Sequence, residues 1–131
     1  MSIQVRWDDH DHHIIYMDFD GKWSWSEFQD ARRQVRVLAD AVDYPVYFII
    51  DFSEGFPPPP DTLRVVYRSM IDHPRNASTS VIVSQSAFVD TLYNIFVKAF
   101  PLLGDRLRLA RNVEEARVIL ANLRLRADHS P

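Results

Sequence analysis

Residues 44–68 read YPVYFIIDFSEGFPPPPDTLRVVYR, and this stretch decides the fold. Val46-Tyr47-Phe48-Ile49-Ile50 is an unbroken run of β-branched and aromatic residues. A strand apolar on both faces belongs in the middle of a sheet with helices around it. The strand is read as Val46 to Phe52, with Asp51 near its end. A loop follows, Phe52-Ser53-Glu54-Gly55-Phe56, and then four prolines, Pro57 to Pro60. From Asp61, the residues Leu63, Val66, Tyr67, Met70 and Ile71 recur at helical spacing. The stretch therefore predicts a central strand, a loop at the end where α/β proteins place function, and a helix.

Upstream, Ile3 to Trp7 alternates apolar and polar residues, as a half-buried strand does. A short acidic and histidine-rich turn leads to a second strand, His12 to Phe19, so the two are expected to form a hairpin. Asp20-Gly21 is a turn signal. Ser24-Trp25-Ser26-Glu27 is a capping box that starts a first helix. Its buried stripe is Trp25, Phe28, Ala31, Val35, Leu38 and Val42, and Pro45 ends it. Downstream, Thr79 to Ser84 reads as a fourth strand and Ser86 to Phe100 as a third helix. Arg106 to Ala110 reads as a fifth strand, and a fourth helix is capped by Asn112 with Glu115 three residues on. The order β-β-α-β-α-β-α-β-α predicts an α/β fold: a five-stranded, mostly parallel sheet with an N-terminal antiparallel hairpin and four main helices. Residues 1–126 are expected to form one domain, and 127–131 a frayed tail.

Composition narrows the chemistry. The 131 residues contain no cysteine, which excludes disulfides, thiolate metal sites and cysteine nucleophiles. The N-terminal MSIQVRWDDH lacks the basic and apolar regions of a signal peptide, and no apolar run is long enough to span a bilayer. A cytoplasmic location is expected. Residues 1–61 hold twelve acidic and five basic side chains (−7), and residues 62–131 hold six and ten (+4). Such a field can orient a partner or a second copy. The scattered basic residues and the acidic pI of about 5.9 argue against nucleic acid.

The element order resembles the anti-sigma-factor-antagonist (STAS) fold, and within it the SpoIIAA-like proteins. Three features carry the resemblance. They are the hairpin followed by Gly21-Lys22-Trp23-Ser24-Trp25-Ser26-Glu27-Phe28, the buried strand ending in Asp51, and the final Leu107-Arg108-Leu109-Ala110-Arg111-Asn112-Val113-Glu114-Glu115-Ala116. Antagonists switched by kinases carry an Asp-Ser-Ser-Gly-Leu type run at the start of the second helix. Here that position reads Pro59-Pro60-Asp61-Thr62-Leu63. The serine pair and the glycine are missing, so the resemblance implies a binding or scaffolding domain without the phosphoswitch.

Several residues are candidates for function. Thr62 and Ser53 are the hydroxyls available as phospho-acceptors near the resembling site; the plainer reading of Asp61 and Thr62 is helix capping. Asp51, Phe52, Phe56 and Asp61 surround the strand end and form a candidate loop or ligand site. Asp51 also suggests a receiver-type acceptor, but the acidic pair and lysine that a receiver needs are misplaced, and an Asx-type turn explains the residue as well. His10, His12 and His13 beside Asp8, Asp9 and Asp11 look like metal ligands by composition. Adjacent strand residues point to opposite faces, so no metal site is expected. The third helix carries one apolar stripe, Phe88, Leu92, Ile95, Phe96, Ala99 and Leu103, and a second, Val89, Tyr93, Val97 and Phe100. The first is expected to face the core, leaving Tyr93, Val97 and Phe100 as a candidate interface.

No nucleophile–base pair, helical carboxylate pair or glycine-rich phosphate loop is present, and the chain has only three glycines. The expected function is a non-catalytic, self-associating protein-interaction domain with no cofactor. A homodimer is expected, and any other protein partner is left unidentified. The alternative is a carrier or sensor of a small apolar or lipid-like ligand, and the third reading is a receiver-like or enzymatic role.

Overall fold

The structure is a computed structural model that describes residues 2–55, 68, 74–101 and 106–128. Eight elements are seen among the described residues: β1 (Ile3–Trp7), β2 (Ile14–Gly21), α1 (Trp25–Asp40), β3 (Val46–Gly55), β4 (Ala77–Val83), α2 (Ala87–Ala99), β5 (Leu107–Ala110) and α3 (Val113–Asp128). The five strands form one sheet in the order β1-β2-β3-β4-β5. β1 is antiparallel to β2, and every other pairing is parallel. Three helices are present among the described residues. The helix predicted from Asp61 lies outside them.

The sheet is covered on two faces. On one, Ile15, Met17 and Phe19 of β2 and Val46 and Phe48 of β3 pack with Ala31, Val35 and Ala39 of α1. On the other, Ile14, Tyr16, Tyr47, Ile49, Val81, Val83 and Ala110 pack with Ala116 and Leu120 of α3. The alternation along β2 and β3 feeds both cores, which is why the unbroken apolar run of β3 stands at the centre.

Local chemistry sets where the elements begin and end. Ser24 Oγ accepts from the Glu27 amide at 3.1 Å, and the Glu27 carboxylate returns to the Ser24 amide at 3.2 Å, the reciprocal box the sequence predicts. At the other end of α1, the Asn76 side-chain amide donates to the carbonyls of Ala39, Val42 and Tyr44 at 3.0, 3.3 and 2.9 Å. It thereby adds a donor at a helix end where carbonyls run short of them, although Ala39 also accepts from the amides of Ala41 and Val42.

Several boundaries differ from expectation; β4 runs from Ala77 to Val83 rather than from Thr79 to Ser84, and β2 continues through Gly21, past the turn expected at Asp20-Gly21. β2 begins at Ile14 rather than His12, because His12 adopts φ +57° and the Asp9 carboxylate binds the amides of His13 and Ile14, both at 2.9 Å. That local bonding holds residues 8–13 in a turn. β3 continues to Gly55, past the predicted end at Phe52, because it pairs with Asp20 and Gly21 beyond an irregularity in the ladder. The last helix runs to Asp128, into the segment expected to fray from Ala127.

Candidate functional site

The polar site of the molecule lies at the C-terminal end of the parallel strands, on the face shared with α3. Asp51, Tyr16 and Asp18 meet there because of register. Tyr16 pairs with Ile49 and Asp18 with Asp51, so two steps along either strand keep the same face. Asp51 is buried, 6% exposed. Its Oδ2 accepts the Tyr16 hydroxyl, and its Oδ1 accepts the Ser53 amide at 2.8 Å and the Ser53 hydroxyl. A buried carboxylate needs such donors, since burying an unsatisfied charge is costly. The i to i+2 bond from the Ser53 amide is the Asx-type arrangement that the residue types suggest.

The surroundings of this network are acidic. Arg6 of β1 lies over the Tyr16 ring, 4.5 Å from its centroid. Burial raises the Tyr16 hydroxyl well above the usual tyrosine range, and the bond and charge of Asp51 add to that. Burial also raises the Asp18 carboxyl, with Asp51 next and Arg6 opposing. The hydroxyl of Tyr16 is thus a donor that keeps its proton, and Asp18 is a carboxyl with reduced acidity. Among the described residues every fully buried side-chain polar atom has a hydrogen-bond partner. The arrangement is a satisfied structural network with one half-buried acid, Asp18, at its margin.

The other predicted residues are placed as follows. Phe52 is half-buried on the α1 face, its ring 4.5 Å from that of Phe19, in a cluster with Trp23 and Phe28. Ser53 is exposed, and its hydroxyl is committed to Asp51. Phe56, Asp61 and Thr62 lie outside the described residues. In the hairpin turn, Asp8 forms a two-bond ion pair with Arg117 of α3 at 2.7 and 3.0 Å, and Asp9 holds backbone amides. His12 stacks on Trp7 at 4.8 Å, and His13 leans on Tyr44 at 4.5 Å. His12 and His13 are thus engaged with aromatic rings, and no group of three or more metal-ligating side chains converges among the described residues.

The two apolar stripes of α2 are arranged differently from expectation. Val89 and Phe96 are buried, and Leu92, Tyr93, Val97 and Phe100 are half-buried. The Tyr93 hydroxyl donates to the Leu107 carbonyl of β5 at 3.0 Å, which fixes the helix against the sheet edge. The rim left most open holds Phe88, 43% exposed, and Ile95, 48% exposed, members of the stripe assigned to the core by periodicity. Ala99 is also exposed on that side.

Tyr16, Asp18, Arg6 and Arg117 were not singled out by the sequence. The alternation of β2 puts Tyr16 and Asp18 on one face, but only strand register brings them to Asp51. Among the described residues, no helix is long and apolar enough to cross a membrane. The chain matches no protein-family model, no curated protein and no solved structure.

Proposed function

We propose that the chain is a non-catalytic interaction and regulatory domain of STAS-like plan, completed by a fourth helix, that works in the cytoplasm as a homodimer. The observation that carries the reading is the open rim of α2. Phe88, Leu92, Ile95 and Ala99 recur at i, i+4, i+7 and i+11, and three of the four are exposed. With Val89, Phe96 and Phe100 turned inward, the apolar arc of this helix exceeds what the sheet covers. A second copy would cover the rim across a twofold axis, since such an interface uses the same patch on both chains. The unequal charge of the two halves favours one orientation of the pair.

The strand-end network supports the non-catalytic part. Asp51 accepts three hydrogen bonds from Tyr16 and Ser53, and the Tyr16 proton is held tightly. Neither is poised as a nucleophile or base.

The test is sedimentation velocity of wild type and Ile95→Asp at about 50 micromolar, where a weak dimer with a Kd in the micromolar range is visible. The wild type should sediment as a dimer and the variant as a folded monomer with unchanged circular dichroism. A wild-type monomer would refute self-association. A dimer indifferent to Ile95→Asp would move the interface away from α2.

A further inference from the structure

β1 forms one edge of the sheet and β5 the other. At β5 the Tyr93 hydroxyl occupies the Leu107 carbonyl. At β1 the phase of the ladder decides which groups face out. The Ser2 carbonyl accepts from the Asp20 amide, and the Asp8 amide donates to the Ile14 carbonyl, both at 2.7 Å. Ser2, Gln4, Arg6 and Asp8 therefore bond to β2, and Ile3, Val5 and Trp7 turn their N–H and C=O outward. Ile3 is closed off, 2% exposed, while Val5 and Trp7 are half-buried. No strand lies beyond them among the described residues. The ladder from Ile3 to Trp7 runs without a bulge, and β1 contains no proline. This edge thus offers two donors and two acceptors in a straight template.

The two flanks of the template differ. The side chains of Val5 and Trp7 lie on the α1 face, where Val5 lines an open groove with Asp30, Arg33, Gln34, Val37 and Leu38 of α1. Asp30 and Arg33 pair with each other, and Val37 is 69% exposed, so the groove offers apolar contact with little net charge. On the opposite face β1 presents Gln4 and Arg6, both exposed. Arg6 is the single charge of the strand and lies over the Tyr16 ring.

Arg6 decides what can pair here. A second copy of β1, joined across a twofold axis through both open residues, sets Val5 against Trp7 and therefore Arg6 against Arg6. Like charges directly opposite one another destabilise such a pair. Centring the axis on Val5 or on Trp7 leaves a single rung, since the remaining partner is then the closed Ile3 or Asp9 in the turn. An acidic residue opposite Arg6 turns the same charge into an attraction.

We propose that β1 takes an added antiparallel strand from a different protein, an extended segment with an acidic residue between two apolar ones. The two apolar residues stand opposite Val5 and Trp7 and exchange four main-chain hydrogen bonds with them. Their side chains fall on the α1 face, one of them at the groove beside Val37 and Leu38. The acid stands opposite Arg6 at a non-hydrogen-bonded position, where facing side chains come closest. Main-chain bonds supply affinity, and the two flanks select the segment. The surface lies at the other edge of the sheet from β5, so the inference goes beyond self-association through α2 and does not rest on it.

The test is amide-resolved NMR of the whole chain with three probes. They are a blocked peptide Ser-Thr-Val-Glu-Val-Thr-Ser, its lysine-centred analogue, and the glutamate form N-methylated at both valines, each titrated to about 1 mM. In the free chain the Val5 and Trp7 amides should exchange at least about tenfold faster than those of Gln4 and Arg6. The glutamate peptide should shift and protect the Val5 and Trp7 amides, bind about three- to tenfold tighter than the lysine form, and lose binding on N-methylation. Arg6→Glu should reverse the preference. Protected Val5 and Trp7 amides in the free chain, no binding of the glutamate peptide, shifts centred on α2, equal affinity of the two charge forms, or binding that survives N-methylation would each overturn the proposal. If Arg6→Glu fails to fold, Arg6→Gln takes its place and should make the two charge forms bind alike.

Discussion

Removing one hydroxyl tests whether the strand-end network stabilises the fold. Tyr16→Phe keeps the ring, its packing in the α3-side core and its contact with Arg6, and deletes only the donor to Asp51 Oδ2. Asp51 is 6% exposed, so water cannot readily replace the lost donor. Hydrogen bonds to charged groups contribute about 1.5–3 kcal/mol each, and an acceptor left buried without its partner costs a similar amount. We take about 2 kcal/mol. Unfolding entropy of about 2.1 cal/mol/K per residue gives about 0.28 kcal/mol/K for a chain of this length. The expected fall in Tm is therefore about 7 °C. Calorimetry at pH 7, checked by urea titration with an unchanged m-value, measures it. In an Asp51→Asn background the same substitution should cost clearly less, because the charge that strengthens the bond is gone. A cost under about 0.5 kcal/mol, or an equal cost in both backgrounds, would refute the reasoning.

Two further substitutions probe the frame that holds this site. Gly55→Ala should destabilise by about 1–3 kcal/mol, because the added Cβ would come within 2.8 Å of the Phe19 Cβ and closer still to the Phe19 carbonyl oxygen, a backbone atom that cannot step aside. Thermal melting measures this, and a neutral result would show that the β2–β3 end is looser than its pairing implies. Asn76→Ala should cost about 1–2 kcal/mol in urea titration, because it removes the side-chain donor to the carbonyls of Ala39, Val42 and Tyr44, of which Ala39 keeps the amides of Ala41 and Val42, with the α1–β3 turn showing faster amide exchange.

The fold was legible where one short pattern carried one physical cause. The capping box at Ser24, the two-sided apolar run of β3 and the alternation of β1 each specify an element without reference to the rest of the chain. Boundaries were less legible than the elements themselves. β2 starts late because the Asp9 carboxylate binds the amides of His13 and Ile14, a choice that a run of apolar residues does not reveal. β3 ends late because Gly55 fits against the Phe19 backbone, which depends on a partner strand over thirty residues away in sequence. The Tyr16–Asp51 pair was hidden for the same reason: alternation fixes a face, while register fixes a partner.

The α2 helix shows what periodicity leaves open in a more general way. Its apolar residues occupy more than half the helix circumference, so the pattern defines an arc without defining its centre. The rotation of the helix selects the centre, and here the bond from the Tyr93 hydroxyl to the Leu107 carbonyl contributes to it. With Tyr93 turned toward β5, Val89, Phe96 and Phe100 follow it inward, and Phe88 and Ile95 are left on the outer rim. A tyrosine suits that position, since it gains apolar burial for its ring while its hydroxyl meets a strand-edge carbonyl. The same contact occupies an acceptor on the outer edge of β5, which would otherwise be available to an added strand. One side chain therefore helps guard a sheet edge and helps set which apolar rim the helix leaves open, and the open rim is a consequence of how that edge is closed.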